Sequence, residues 1–366
     1  MKSIICIVCI LLNLYLTSWS FQTKFFKEMN KEYINKNLLI SPFSAYQVLG
    51  LTANGAKGET LNQMLLALEN TSIEEVKNIN KNILDISKTF STIEIANVVT
   101  SKFKPKKTFL DFADLYEATV EPLKNVAQIN NWCNLKTHGK IKEIIDELDG
   151  STLMIWLNAI YFNGVWQTEF DEKNTKKNYF YNSGGESNAK LVDKMSVKEK
   201  FNYYEDKDAQ IVEIPYKSDS MSAVIILPNK NKNINDFITE LNDKKLQRLF
   251  KRMDKQIVEL QLPKFTLEFS SLLKSVLQKM GMVIPFKGNA NFTGMIDGSL
   301  YISYVIQKSY LSIDEKGTVA SSVSAVVMTN EMIFPMNIDK PFLFMLRSNS
   351  LPIDNELLFM AKIEEL

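Results

Sequence analysis

The rhythm of apolar and polar positions changes partway along the chain. SPFSAYQVLGLTANGA (41–56) carries apolar residues at helical spacing, with Ser41 placed to cap, Pro42 at the first helical position and Gly55 ending the run. TLNQMLLALEN (60–70) and SIEEVKNINKNILDISKTF (72–90) predict two further helices. QINNWCNLKTHGKIKEII (128–145) predicts a helix interrupted near Gly139, so the first third reads mostly helical. STLMIWLNAIYFNGVW (151–166) is too continuously apolar for a half-exposed strand and predicts a buried central one ending at Gly164. QIVEIPYK (210–217) and SMSAVIILPN (220–229) predict two strands around a turn, and KQIVELQLPKFTLEFS (255–270) alternates as a strand. SSLLKSVLQKMG (270–281) predicts a short helix closed by Gly281. YISYVIQKSYLSIDE (301–315), KPFLFMLRS (340–348) and NELLFMAKIEE (355–365) predict three more strands. Helices followed by mixed strands imply an α+β fold around large sheets.

One stretch resists this scheme. DEKGTVASSVSAVVMTNEMIF (314–334) follows Gly317 with small and β-branched residues, free of Pro and charge from Thr318 to Asn330. It favours an extended strand, yet no turn signal pairs it before Pro335. Long, uncharged, strand-prone segments are edge hazards that proteins usually blunt.

Composition sharpens the picture modestly. The 366 residues are 45% hydrophobic and 23% charged, an ordinary globular balance. A net charge of +1 provides no global field toward nucleic acid. MKSIICIVCILLNLYLTSWS (1–20) has Lys2, an apolar run from Ile4 to about Leu16, then Ser18 and Ser20, which is a secretory leader pattern with cleavage after Ser20. Read instead as an anchor, the run is shorter than the roughly 20 residues a span needs, and Asn13 interrupts it. No later segment is apolar enough to span. Cys6 and Cys9 lie in the leader, so Cys133 remains without a disulfide partner, as a buried apolar residue or a reactive thiol. Asn70-Thr-Ser and Asn291-Phe-Thr are glycosylation sequons.

Catalytic chemistry is not in evidence. The single histidine, His138, stands five residues from Cys133, a spacing that does not share a helical face. No zinc spacing, GxGxxG or phosphate-loop pattern occurs, and so no catalytic residue, metal or cofactor is expected. Lys102, Lys104, Lys106 and Lys107 could hold a polyanion such as heparin, or be a solvated surface run; Lys77, Lys81 and Lys88 form a second such group. The expected role is binding, structural or inhibitory.

A set of motifs then falls into order. Asn37-Leu-Leu-Ile-Ser41-Pro42-Phe-Ser44, Gly55-Ala-Lys-Gly58 with Thr60, and Asn130, Trp132, Thr137 with Gly139-Lys-Ile141 come first. Asn158-Ala-Ile-Tyr-Phe-Asn-Gly-Val-Trp166, Pro215-Tyr216, Pro263-Lys-Phe265 and Asn291-Phe-Thr-Gly-Met295 follow. Pro341-Phe-Leu-Phe344 and Leu358-Phe-Met360 close the series. With these motifs the chain resembles the serpins over residues 25–366.

The resemblance implies a serpin fold of three β-sheets with eight to nine helices, a single domain over 21–366, and an exposed reactive-centre loop at about 315–337. It implies a secreted suicide-substrate inhibitor of serine, or cysteine, endopeptidases. The protease would cut the loop and form a covalent acyl complex, and the loop would then insert as a strand into the main sheet. The hinge would be Glu315, Gly317, Thr318, Val319, Ala320, Ser321 and Ser322. Counting from the hinge puts the cut between Glu331 and Met332, and counting back from Pro341-Phe342 makes Asn330 the residue before it. Ser41, Ser44, Asn158, Trp166 and Gln307 would line the region where the sheet opens, Gln307 standing where many serpins carry His. The resemblance further implies a monomer liable to loop–sheet polymers. Other readings are a non-inhibitory carrier or chaperone, for which the IEEL terminus is a loose relative of a retention tail.

Overall fold

The computed structural model describes residues 20–87, 93–162, 164–217, 221–317, 332–349 and 357–366. In chain order the elements are α1 (residues 20–32), β1 (Leu38–Ile40), α2 (Pro42–Ala53), α3 (Gly58–Ala67), α4 (Ile73–Ser87), β2 (Ile93–Ser101), α5 (Lys107–Leu115), β3 (Thr119–Pro122) and α6 (Val126–Lys136). They continue as β4 (Met154–Phe162), β5 (Lys176–Tyr181), β6 (Ala189–Glu205), β7 (Ala209–Pro215), β8 (Met221–Pro228), α7 (Ile234–Glu240), α8 (Asp243–Lys251) and β9 (Asp254–Pro263). The chain closes with β10 (Phe265–Leu272), α9 (Lys274–Lys279), β11 (Tyr304–Ile313), β12 (Ile333–Asn337), β13 (Phe342–Ser348) and β14 (Leu357–Ile363). The chain divides into two compact units.

One unit holds residues up to Glu28, Ile40–Tyr161 and Glu268–Tyr310. Its sheet is five-stranded in the order β10-β11-β4-β2-β3. All nine residues of β4 are buried, which explains a sequence that is apolar at every position but Asn158. β4 pairs β11 in parallel, from Tyr304 opposite Ile155 to Tyr310 opposite Tyr161. Ile129 and Cys133 of α6, with Ile141, Ile144 and Ile145, pack on Ile155, Leu157, Ala159 and Ile306, so this segment covers the β4–β11 seam. Helix α2 starts where Ser41 Oγ accepts the Ser44 amide, 3.2 Å away, and all of its residues are buried.

The other unit holds Met29–Leu39, Phe162–Leu267 and Leu311–Leu366. Its nine-stranded sheet runs β1-β14-β13-β8-β7-β6-β9-β12, with β5 paired to β6. The 17-residue β6 pairs β7 through Asn202–Glu205 and β9 from Lys194 to Tyr203. Two of the three expected sheets therefore share that strand and run together among the described residues.

Three local expectations change. The predicted helix across Gly139 stops at Lys136, because His138 and Gly139 both take positive φ (48° and 78°) and residues 140–145 follow as irregular chain. The alternating run 255–270 is two strands in different sheets, β9 and β10, parted at Lys264. The helical first third also contains β2 and β3.

Candidate functional site

Two polar constellations stand out, one where the chain leaves β11 and one on the β4–β11 seam. The first fixes the chain as it leaves β11. Glu315 is 5% exposed, and its carboxylate meets Lys264 Nζ at 2.7 Å and accepts from Thr175 Oγ1 at 2.7 Å. Burial pushes the Glu315 carboxyl up, but the bonds from Lys264 and Thr175 outweigh it and hold the group below the usual carboxylate range. The same bond raises the Lys264 ammonium. The backbone is tied as well: Phe170 N donates to Glu315 O (2.9 Å), Trp166 N to Lys316 O (3.2 Å) and Trp166 Nε1 to Asp314 O (2.9 Å). Trp166 stacks on Tyr216 with ring centroids 4.4 Å apart. Gly317 has φ +75°, and a Cβ there would lie 2.4 Å from Gly164 O and 2.6 Å from Trp166 N, so only glycine fits.

The second constellation is a buried, uncharged network on the β4–β11 seam. Gln307 Oε1 accepts from Ser41 N (3.0 Å), and its Nε2 donates to Ser41 O (2.9 Å) and Asn158 Oδ1 (2.9 Å). Ser44 Oγ donates to the same Asn158 Oδ1 (2.7 Å), and Asn158 Nδ2 donates to Asn97 Oδ1 (2.6 Å). Asn97 in turn donates to Gln47 Oε1 at 3.2 Å. Gln307 and Asn158 are opposite each other in the ladder, which makes the shared amide contact possible. On the outer face Lys308 bonds Glu143 O, within the covering segment, and meets Glu268 Oε1 at 2.9 Å.

The structure thus gathers Ser41, Ser44, Asn158 and Gln307, and places Glu315 and Gly317 at one anchor. Trp166, grouped from sequence with the sheet-opening residues, stands among the residues that hold the chain after β11, its indole N–H donating to Asp314 O. Thr318, Val319, Ala320, Ser321, Ser322, Asn330 and Glu331 lie outside the described residues, as do the leader to residue 19 and Lys88. Met332 is 75% exposed, and the chain beyond it is β12. Sequence reasoning missed Lys264, Thr175, Asn97, Gln47 and Lys308. Lys264 was visible inside Pro263-Lys-Phe265; the others carry no signal until the ladders bring them together.

The remaining candidates resolve by environment. Cys133 is fully buried, and burial pushes its thiol up to about 12, so it belongs to the core rather than to a reactive site. Asn70 is 8% exposed, its amide nitrogen donating to Tyr46 Oη (2.8 Å) and Leu68 O (2.6 Å), whereas Asn291 is exposed. Lys102, Lys104 and Lys107 are exposed, while Lys106 pairs with Asp297 at 2.6 Å. The terminal residues are pinned: Glu364 N and Glu365 N donate to Asn37 Oδ1 (2.7 and 3.1 Å), and Leu366 N donates to Asn182 Oδ1 (3.0 Å). Lys362 and Glu364 form a buried pair at 3.0 Å. Among the described residues no His, Cys, Asp and Glu group could hold a metal, and no helix is long and apolar enough to cross a membrane.

The serpin (serine protease inhibitor) family profile matches residues 17–366. The chain belongs to the serpin family. Leukocyte elastase inhibitor of Xenopus laevis is 34% identical over 361 residues, spanning 89% of this chain and 93% of that protein. A serpin-like protein of Methanosarcina acetivorans is 33% identical over 356 residues, 90% of this chain and 81% of its own. Among solved structures, the thermophilic serpin tengpin in its native state superposes with a TM-score of 0.87 at 30% identity, covering 97% of this chain and 94% of that one. Serpins are generally protease inhibitors and not enzymes.

Proposed function

We propose that this serpin is a secreted inhibitor of serine endopeptidases that traps its target covalently. The observation that carries the reading is the direct parallel pairing of β4 with β11, together with a bait segment that begins immediately after β11. A strand doubling back from Gly317 would run antiparallel to both. Adding it between them would exchange one parallel ladder for two antiparallel ones, and antiparallel pairing is the more stable per residue. Thr318 to Asn330 suits that destination, having neither Pro to break the ladder nor charge to bury. Thr318, Ala320, Ser322, Ser324, Val326 and Met328 would share one face.

The chemistry belongs to the protease, whose serine attacks the loop carbonyl and expels the amine of the following residue. Insertion then carries off the acyl-enzyme before water reaches it. Glu331 before the cut would suit a target with a basic specificity pocket, and Asn330 an asparaginyl-specific one. The leader pattern supports secretion, and the exposed Asn291 is a usable sequon. The pinned C-terminus argues against a retention signal, since its amides are already bonded inside the fold. On passage through a secretory pathway the expected product carries one glycan, at Asn291. Asn291→Gln should abolish the shift caused by N-glycosidase, and Asn70→Gln should leave it intact.

Mixing the protein with a panel of serine and cysteine proteases tests the reading. An SDS-stable complex, with a new N-terminus at Met332 or Glu331, is the expected result. Plain cleavage without a complex would give the role to the carrier or chaperone reading, which the bulk of Val319 and Val323 in the hinge favours.

A further inference from the structure

We infer that the exposed face of β6, β9 and β12 is a docking surface for an acidic rim on the target endopeptidase, bordering the residues just past the cut. The inference rests on the inhibitor reading above. The strand registers assemble the face row by row. Lys198 lies opposite Glu259 and then Pro335, Lys200 opposite Ile257 and then Ile333, and Asn202 opposite Lys255. Lys198, Lys200, Lys255, Glu259, Pro335 and Ile333 are all exposed. The opposite face carries Phe201, Tyr203, Val258, Leu260 and Met336, all buried, so the parity of the three strands is unambiguous. Arg252 extends the cationic strip, donating to Tyr204 Oη at 2.8 Å.

The charges on this face are Lys198, Lys200 and Lys255 against Glu259, an excess of two cations, and the registers turn Glu199 and Asp254 to the other face. The whole chain has a formal charge of only +1, so steering toward a partner must come from a local patch such as this one. Position selects the partner. A protease cutting before Met332 must hold Met332 and Ile333 in its cleft, and these are 75% and 41% exposed at the start of β12. The wall of that cleft then borders the lysine rows. Ile257 and Ile333 give the face an apolar centre, and the lysines form the polar rim that sets encounter rate and selectivity.

The test uses the full-length protein and whichever protease it traps. The second-order rate constant for SDS-stable complex formation is measured at low and high salt for wild type and for the combined Lys198→Ala, Lys200→Ala, Lys255→Ala variant. The expected result is a rate about tenfold lower at low salt and a flattened salt dependence, with the yield of complex per cleaved inhibitor unchanged. Lys255→Glu alone should slow the reaction in the same direction, and Glu259→Lys should speed it. A rate within twofold of wild type in the triple variant would overturn the inference while leaving the inhibitor reading intact. No complex from wild type would overturn that reading and this inference with it. If the variant loses only heparin retention, with its rate unchanged, the face serves a polyanion and the inference is wrong.

Discussion

The Gln307 network and the Glu315 anchor are both polar clusters around the same strand, built on opposite principles. The network at Gln307 is neutral throughout, and the groups of Ser41, Ser44, Asn158 and Gln307 satisfy one another in the interior. The anchor at Glu315 is ionic, and Lys264 on its far side is 38% exposed. A neutral network holds the seam shut equally at every physiological pH and salt concentration. A half-solvated ion pair is weaker and can be released. Opening is therefore easier at the hinge than at the seam, the order that the proposed insertion of the loop from one end requires.

The largest effect should come from removing the amide that both seam strands share. Asn158→Ala leaves Ser44 Oγ and Gln307 Nε2 buried, and Asn97 Oδ1 half-buried, without that partner, and should cost about 3–5 kcal/mol in urea unfolding of the native form. A loss below 1 kcal/mol would mean that the network does not hold the seam.

Glu315→Ala should cost less, about 1–2 kcal/mol, because Lys264 can rehydrate. Its signature is pH dependence. Glu315 titrates below its unfolded value, so its stabilisation is complete above the ordinary glutamate range and is lost as pH falls through the depressed folded value. Comparing acid and salt denaturation of wild type and Glu315→Ala checks this, since the variant should lose the acid-dependent part.

The smallest and sharpest change is Gln307→His. Wild type has no titrating side chain in the network, so its stability should be flat across neutral pH on this account. A buried imidazole would have its pKa lowered by desolvation. Stability of the variant should then be wild-type-like above about pH 6.5 and fall by about 1–2 kcal/mol toward pH 5. Thermal melts at pH 7.5 and 5 read the difference, and a flat profile in the variant would show that the site admits water.

Much of this was legible before any coordinates. Ser41-Pro42 announced the start of α2, and the run 154–162, apolar but for Asn158, announced a strand buried on both faces. The motif series announced the family. What escaped were elements whose sequence lacks a clean period. β6 spends its length pairing with three strands, and its apolar and charged positions do not alternate strictly along all of it. Residues 139–145 look helical in composition, yet two consecutive positive-φ residues end the helix before them. Asn158 and Trp166 come from one continuous motif yet make their bonds in different clusters. The chain leaves β4 between the two residues, so one amide faces the seam and one indole holds the hinge.

The account stands or falls on whether the loop can become a strand between β4 and β11. The most direct measurement is to cut the loop with a protease that is not trapped, then compare thermal unfolding of intact and cut protein. The account predicts a large upward shift for the cut form, as the parallel seam gives way to antiparallel ladders on both sides of the new strand. An unchanged or lowered transition would contradict it, because the cut segment would then have had every freedom to insert and found no place in the sheet.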